Sequence, residues 1–149
     1  MSKCTNIIVS IEIPASSAAI WTELEAIERH VEWMADAVAI DFHGEQRRGP
    51  GTSFSCLTKI GPFHTSDEMT IDFWDEGRAI GVIHRGAVTG SGRFVLTPIS
   101  ATATTLTWTE TLQLPWWLGG SLGGFCARPI FHWIWMRNLA RLALLVDGA

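Results

Sequence analysis

Glu110 sits where a carboxylate is costly. Residues 104–114 alternate strictly: Thr105, Thr107, Thr109, Thr111 and Gln113 share one side, and Leu106, Trp108, Glu110, Leu112 and Leu114 share the other. Period-two alternation marks a strand with one wet and one buried face. A carboxylate on the apolar side must be paired, shifted in pKa or wet. One reading makes Glu110 an acceptor for a ligand hydroxyl, or a base. The other pairs it with an arginine or places it near the wet end of the strand. His132 and Arg128 form a second candidate. They share a helical stripe with Trp135, Leu139, Leu142 and Val146 at spacings of four and three residues. Pointing inward, His132 would shuttle protons and Arg128 would hold a carboxylate or enolate oxygen. The alternative is a core histidine with a structural partner and an arginine paired to Glu110. Asp67 shares a face with Met69, Ile71 and Phe73, either as a second interior acid or at a wet strand end. One side chain of His84-Arg85 points inward, and the alternation of Ile80, Val82 and Ile83 leaves open which.

Several other chemistries lack their residues. The five histidines form no HxxxH pair, so no metal site is expected. Gly119-Gly120-Ser121-Leu122-Gly123 matches a nucleophile-elbow pattern, but His132 precedes Asp147, the wrong order for that triad. Gly90-Ser91-Gly92 lacks the third glycine and the βαβ setting of a dinucleotide site, so no cofactor is expected. Cys4, Cys56 and Cys126 are odd in number and widely spaced, which reads as buried, reduced thiols of a cytosolic protein. The net charge is −4 and the longest basic run is Arg47-Arg48, which argues against a nucleic-acid partner. Residues 1–4 show no apolar signal region. The uncharged stretch 111–127 is broken by Pro115 and four glycines and is too short to span a bilayer. A soluble, cytoplasmic protein is the expectation. Trp116 and Trp117 leave room for a weak membrane-surface contact.

These side chains need elements to position them. A chain of 149 residues has the length of one domain, read as 1–149, and its 47% hydrophobic residues can build a core. Strands are expected at 5–13, 37–47, 52–60, 63–74, 78–85, 93–99 and 104–114, joined by glycine- and proline-bearing turns. A first helix covers 16–26, capped by Ser16 or Ser17, and a short helical segment covers 27–33. The last helix covers 128–146 with Pro129 in its first turn. The expected class is α+β: a curved antiparallel sheet of about seven strands in the order β-α-α-β6-α, wrapped around the C-terminal helix. Sheet and helix would part at one end and leave a cavity.

Four stretches carry a family resemblance. Ile13-Pro14-Ala15 leads to Trp21, with Trp33 twelve residues further on; Arg48-Gly49-Pro50-Gly51-Thr52 forms a turn before the third strand; Thr105-Leu106-Thr107-Trp108 lies late in the sheet; and Arg137-Asn138-Leu139 lies in the long helix. In this order the chain resembles the SRPBCC superfamily (START-like, helix-grip), and within it the polyketide cyclase/dehydrase family. An aspartate that the family often carries before the second tryptophan, to cap the second short helix, is replaced by Ala26. The resemblance implies a helix-grip fold and a hydrophobic ligand, polyketide-, lipid- or sterol-like, held between sheet and helix. It also implies an alternative, cofactor-free cyclisation or dehydration by interior acids and bases, with Glu110 and His132 as catalytic candidates. The inward positions expected to meet the ligand are Phe54, Cys56, Asp67 and Met69 on the middle strands, Trp108, Glu110 and Leu112 on the last, and Arg128, His132, Trp135, Met136 and Leu139 on the helix. The chain is expected as a monomer or a homodimer, with an exposed Trp133 available for a symmetric contact.

Overall fold

The structure is a computed structural model and describes residues 4–147. Strand β1 (Thr5–Ile13) is followed by helix α1 (Ser17–Glu25), a 3-10 turn (Ile27–Arg29) and the one-turn helix α2 (His30–Trp33). Six strands follow: β2 (Ala37–Phe42), β3 (Ser53–Ile60), β4 (Phe63–Asp75), β5 (Ala79–Arg85), β6 (Thr89–Ser100) and β7 (Ala103–Gln113). A second 3-10 turn (Trp116–Leu118) leads into α3 (Gly120–Asp147). The strands form one antiparallel sheet in the order β1-β7-β6-β5-β4-β3-β2. The expected curved sheet, two short helices and long C-terminal helix are all present.

Local chemistry explains the elements. Thr5, Ile7, Val9 and Ile13 of β1 are buried while the residues between them, except the partly covered Ile11, face water. The Ser16 hydroxyl caps α1 by accepting from the Ala19 amide at 3.2 Å. Ala26, where the resemblance expects an acidic cap, has no side-chain cap bond; its carbonyl accepts from the Arg29 amide at 2.9 Å and tightens the chain into a 3-10 turn. Gly77, with φ at 79°, makes the β4–β5 turn in a conformation that side chains disfavour.

Three boundaries differ from the sequence expectation. β2 stops at Phe42 rather than 47, because residues 43–52 loop out, held by the Gln46 amide donating to the carbonyls of Arg48 and Pro50. β6 begins at Thr89 rather than 93, so Gly90 and Gly92 are strand residues. α3 begins at Gly120, which places Pro129 inside the helix instead of in its first turn. There it has no N–H for the Phe125 carbonyl, the kind of break that bends a helix.

α3 lies along β1 and β7. The interior between them is aromatic. Trp108 of β7 stacks on Trp135 of α3 with centroids 4.9 Å apart, and Phe131 stacks on Trp135 at 5.3 Å. Trp33 and Phe94 meet Trp108 at 6.3 and 4.9 Å. At this level sheet and helix touch, where the sequence reading placed a hollow. Buried Asn138 ties α3 to the chain before β2: its Oδ1 accepts from the Ala35 amide at 3.0 Å and its Nδ2 donates to Asp36 at 2.7 Å.

Candidate functional site

A patch of buried titratable groups lies on the concave face of β3–β7. Asp67, His84 and Glu110 are each 7% exposed. The register brings them together. His84 of β5 stands opposite Gly90 of β6, and Glu110 of β7 stands opposite Gly92 of the same strand. The two glycines leave no side chain between β5 and β7 at this height. His84 and Glu110 therefore meet across β6, with Nε2 and Oε2 3.0 Å apart. A Cβ on Gly92 would lie 2.2 Å from Glu110 Oε1, so the slot exists only because residue 92 is glycine.

Each member of the pair has a second partner. The Trp108 indole N–H donates to Glu110 Oε1 at 2.9 Å. His84 Nδ1 faces the Val88 carbonyl at 3.3 Å. An imidazole with an acceptor at each nitrogen is best satisfied when both nitrogens carry protons. Burial works against that charge. The hydrogen bond and charge of Glu110, with the Val88 carbonyl and the charge of Asp67, outweigh it and raise the His84 pKa above its ordinary value.

Asp67 supplies the third group. Its Oδ2 accepts from the Thr65 hydroxyl at 2.9 Å, whereas its buried Oδ1 has no partner. Oδ1 lies where a Cβ on residue 86 would be, 1.9 Å from that position, so Gly86 makes its room. Of the three cysteines expected to be buried only Cys56 is; Cys4, just before β1, and Cys126, in the first half of α3, are exposed. Cys56 stands opposite Asp67, and burial pushes its thiol up to about 11. It stays protonated near neutrality, so it serves the site as a small apolar wall. The site thus combines a carboxylate–imidazole pair, one indole donor and one free carboxylate oxygen inside an aromatic interior. It can accept hydrogen bonds, stabilise positive charge and relay a proton. Among the described residues no group of His, Cys, Asp and Glu is placed to hold a metal ion.

The sequence-expected residues divide into two sets. Phe54, Cys56, Asp67, Trp108, Glu110, Leu112, Trp135 and Leu139 are buried, and Met69 and Met136 are half-buried. Arg128 and His132 are a correction. Both are exposed and line an open groove of about 440 Å³ against Ile7 and Ile8 of β1, with Phe125, Cys126 and Pro129. Phe131 takes the inward place against Trp135, and its neighbour His132 is turned about 100° around the helix, out of the interior. The arginine partner considered for Glu110 is likewise replaced, by His84. His84 itself was left open by its own strand. The readable signal lay one strand away, in glycines two residues apart on a strand, which mark space for a neighbour's side chain.

No protein-family model matches the sequence, and no curated protein sequence does. Solved structures do match along almost the whole chain. One is the ZhuI aromatase/cyclase from Streptomyces sp. R1128, at 16% identity and a TM-score of 0.72, covering 97% of this chain and 92% of that one. Another is a START superfamily protein from Mycobacterium smegmatis, at 14% identity and a TM-score of 0.68, covering 96% and 94%. A third is norcoclaurine synthase from Thalictrum flavum, at 15% identity and a TM-score of 0.72, covering 99% and 97%. The chain has the same helix-grip fold as these structures. At these identities the helix-grip likeness fixes the architecture; what the site does has to be argued from the site.

Proposed function

We propose that the protein binds a hydrophobic small molecule, polyketide-, lipid- or sterol-like, against the concave face of the sheet. The apolar body lies among Phe54, Met69 and the aromatic cluster, and a polar end meets Asp67, His84 and Glu110. The observation that carries this reading is the unpartnered Oδ1 of buried Asp67 beside the His84–Glu110 pair. An acceptor left empty in an apolar interior costs free energy that a ligand donor recovers. The oxygens of Asp67 and Glu110 accept hydrogen bonds, and they favour a ligand end that donates, such as a hydroxyl, over one that only accepts.

Native mass spectrometry of protein purified from its own host tests the proposal by reading the mass that travels with the chain. Quenching of tryptophan emission by alcohols and carboxylic acids of matched chain length tests the polarity. We expect the alcohols to bind more tightly, and weaker binding by Asp67→Asn and Glu110→Gln. Equal affinity for alcohol and acid would overturn the assignment of the polar end.

A second reading is cofactor-free cyclisation or dehydration. The 3.0 Å His84–Glu110 contact favours it, because such a pair can take a proton from a carbon beside a carbonyl and return it to a leaving hydroxyl. Under this reading His84→Gln abolishes turnover of a poly-β-ketone probe while leaving its binding within a few-fold. Loss of both together returns the pair to a binding role.

A further inference from the structure

We propose that the outer face of α3, with the Trp116–Trp117 turn before it, docks on an anionic lipid bilayer. The face is apolar and uncovered. Trp116 is 87% exposed, Leu122 70%, Phe125 67% and Trp133 59%. Leu122, Pro129, Trp133 and Leu144 follow one another at helical spacing down one exposed stripe of α3. Single exposed apolar residues are ordinary, but a contiguous run with tryptophans at its end is an interaction surface.

Charge decides the partner. Arg128 flanks the stripe on one side, and Arg137 and Arg141 on the other. None of the three has a carboxylate partner among the described residues. The Arg137 guanidinium lies over the Trp133 ring, 4.7 Å from its centroid, so cation and aromatic are presented together. No acidic residue occurs between Glu110 and Asp147, although the chain as a whole carries −4. An apolar stripe with tryptophans, bordered by cations, suits a helix lying in the headgroup plane of an anionic bilayer. A second copy fits less well. A twofold contact would lay this patch on itself and set arginines against arginines with no acid between them. Crossing the membrane is not implied, since among the described residues no helix is long and apolar enough. Arg128 and His132, in the groove beside β1, would then face phospholipid headgroups.

Flotation of the full chain with vesicles tests the proposal. Vesicles of phosphatidylcholine alone are compared with vesicles in which about a quarter of the lipid is phosphatidylglycerol. We expect binding to the anionic vesicles only, a blue shift of tryptophan emission, and release at high salt. Arg128→Gln/Arg137→Gln/Arg141→Gln should weaken that binding by about tenfold or more. Trp116→Ser/Trp117→Ser should reduce the emission shift, with Trp133 left to report what remains. These side chains are surface groups, and an unchanged circular-dichroism melt verifies each fold. No binding to anionic vesicles, or equal binding to both kinds, overturns the proposal whatever the variants do. A dimer in sedimentation that Trp133→Asp splits assigns the face to a second copy and overturns it too.

Discussion

Two histidine–glutamate pairs stand on opposite faces of this sheet. On the convex face His43 and Glu68 are 2.6 Å apart, joined by the Ser55 hydroxyl at 3.0 Å from His43 and 2.6 Å from Glu68. On the concave face His84 and Glu110 are 3.0 Å apart. The shorter contact is the weaker one. Side chains of the outer pair are 50% and 59% exposed, those of the inner pair 9% and 9%. Water and salt screen the outer charges and solvate either member alone. The inner members have no such alternative, so each is held by the other. Hydrogen bonds from Ser55 and His43 lower the Glu68 pKa, but the side chain stays open to water. Burial is what separates a site able to select a ligand from a decoration of the surface.

Removing an inner partner breaks the comparison hardest. Glu110→Ala leaves His84 Nε2 and the Trp108 indole N–H facing no acceptor, and should cost about 3–5 kcal/mol of unfolding free energy. Denaturant unfolding measures this, and a loss below about 1 kcal/mol would mean that water reaches the pair freely.

Stability against pH gives the next largest effect, and two buried histidines act in opposite senses. Burial holds His30 at about 4, below its ordinary 6.5, with its Nε2 2.8 Å from the Leu24 carbonyl. Its neutral form is the folded form, so its stabilisation is present above about pH 6.5 and is lost as pH falls toward 4, by up to about 3 kcal/mol. His84 has a raised folded value, so its contribution is present below about pH 6.5 and fades as pH rises through that value. His30→Gln should flatten the acid limb of the profile and His84→Gln the alkaline limb. An unchanged alkaline limb in His84→Gln would show that the imidazole titrates alike in the folded and unfolded chains.

Gly92→Ala sharpens the comparison by crowding the inner pair without removing it. Its Cβ would lie 2.2 Å from Glu110 Oε1, and a cost of about 1–3 kcal/mol is expected. The same substitution in a Glu110→Ala background should cost less, because the atom it strikes is gone. Equal costs in the two backgrounds would place the strain in the backbone instead.

Much of this arrangement is legible in the sequence, and the illegible parts share a cause. β1 and β7 carry clean alternation, and Ser16 marks the start of α1; these signals lie within one element. The start of α3 was hidden because Gly119, Gly120, Gly123 and Gly124 are poor helix formers and break the helical pattern there. Gly124 instead permits close packing on β1, since a Cβ there would lie 2.0 Å from Thr5 Oγ1. The orientation of His84 was hidden because it depends on register with β6 and β7. Arg128 and His132 matched the spacing of the buried stripe and still point outward, because Phe131 and Trp135 claim the interior. Wherever a residue's role is set by a neighbouring element, periodicity within its own element does not report it.

The smallest effect is expected on the convex face. His43→Gln keeps a polar side chain beside Ser55 and Glu68, and both remain solvated. The melting temperature should stay within measurement error, at low and high salt alike. Ligand quenching of tryptophan emission should be unaltered, since the side chain lies across the sheet from Asp67 and Glu110. A drop in melting temperature comparable to that of Glu110→Ala would mean that the 2.6 Å contact is worth what its length implies, and burial would then no longer explain why the two pairs differ.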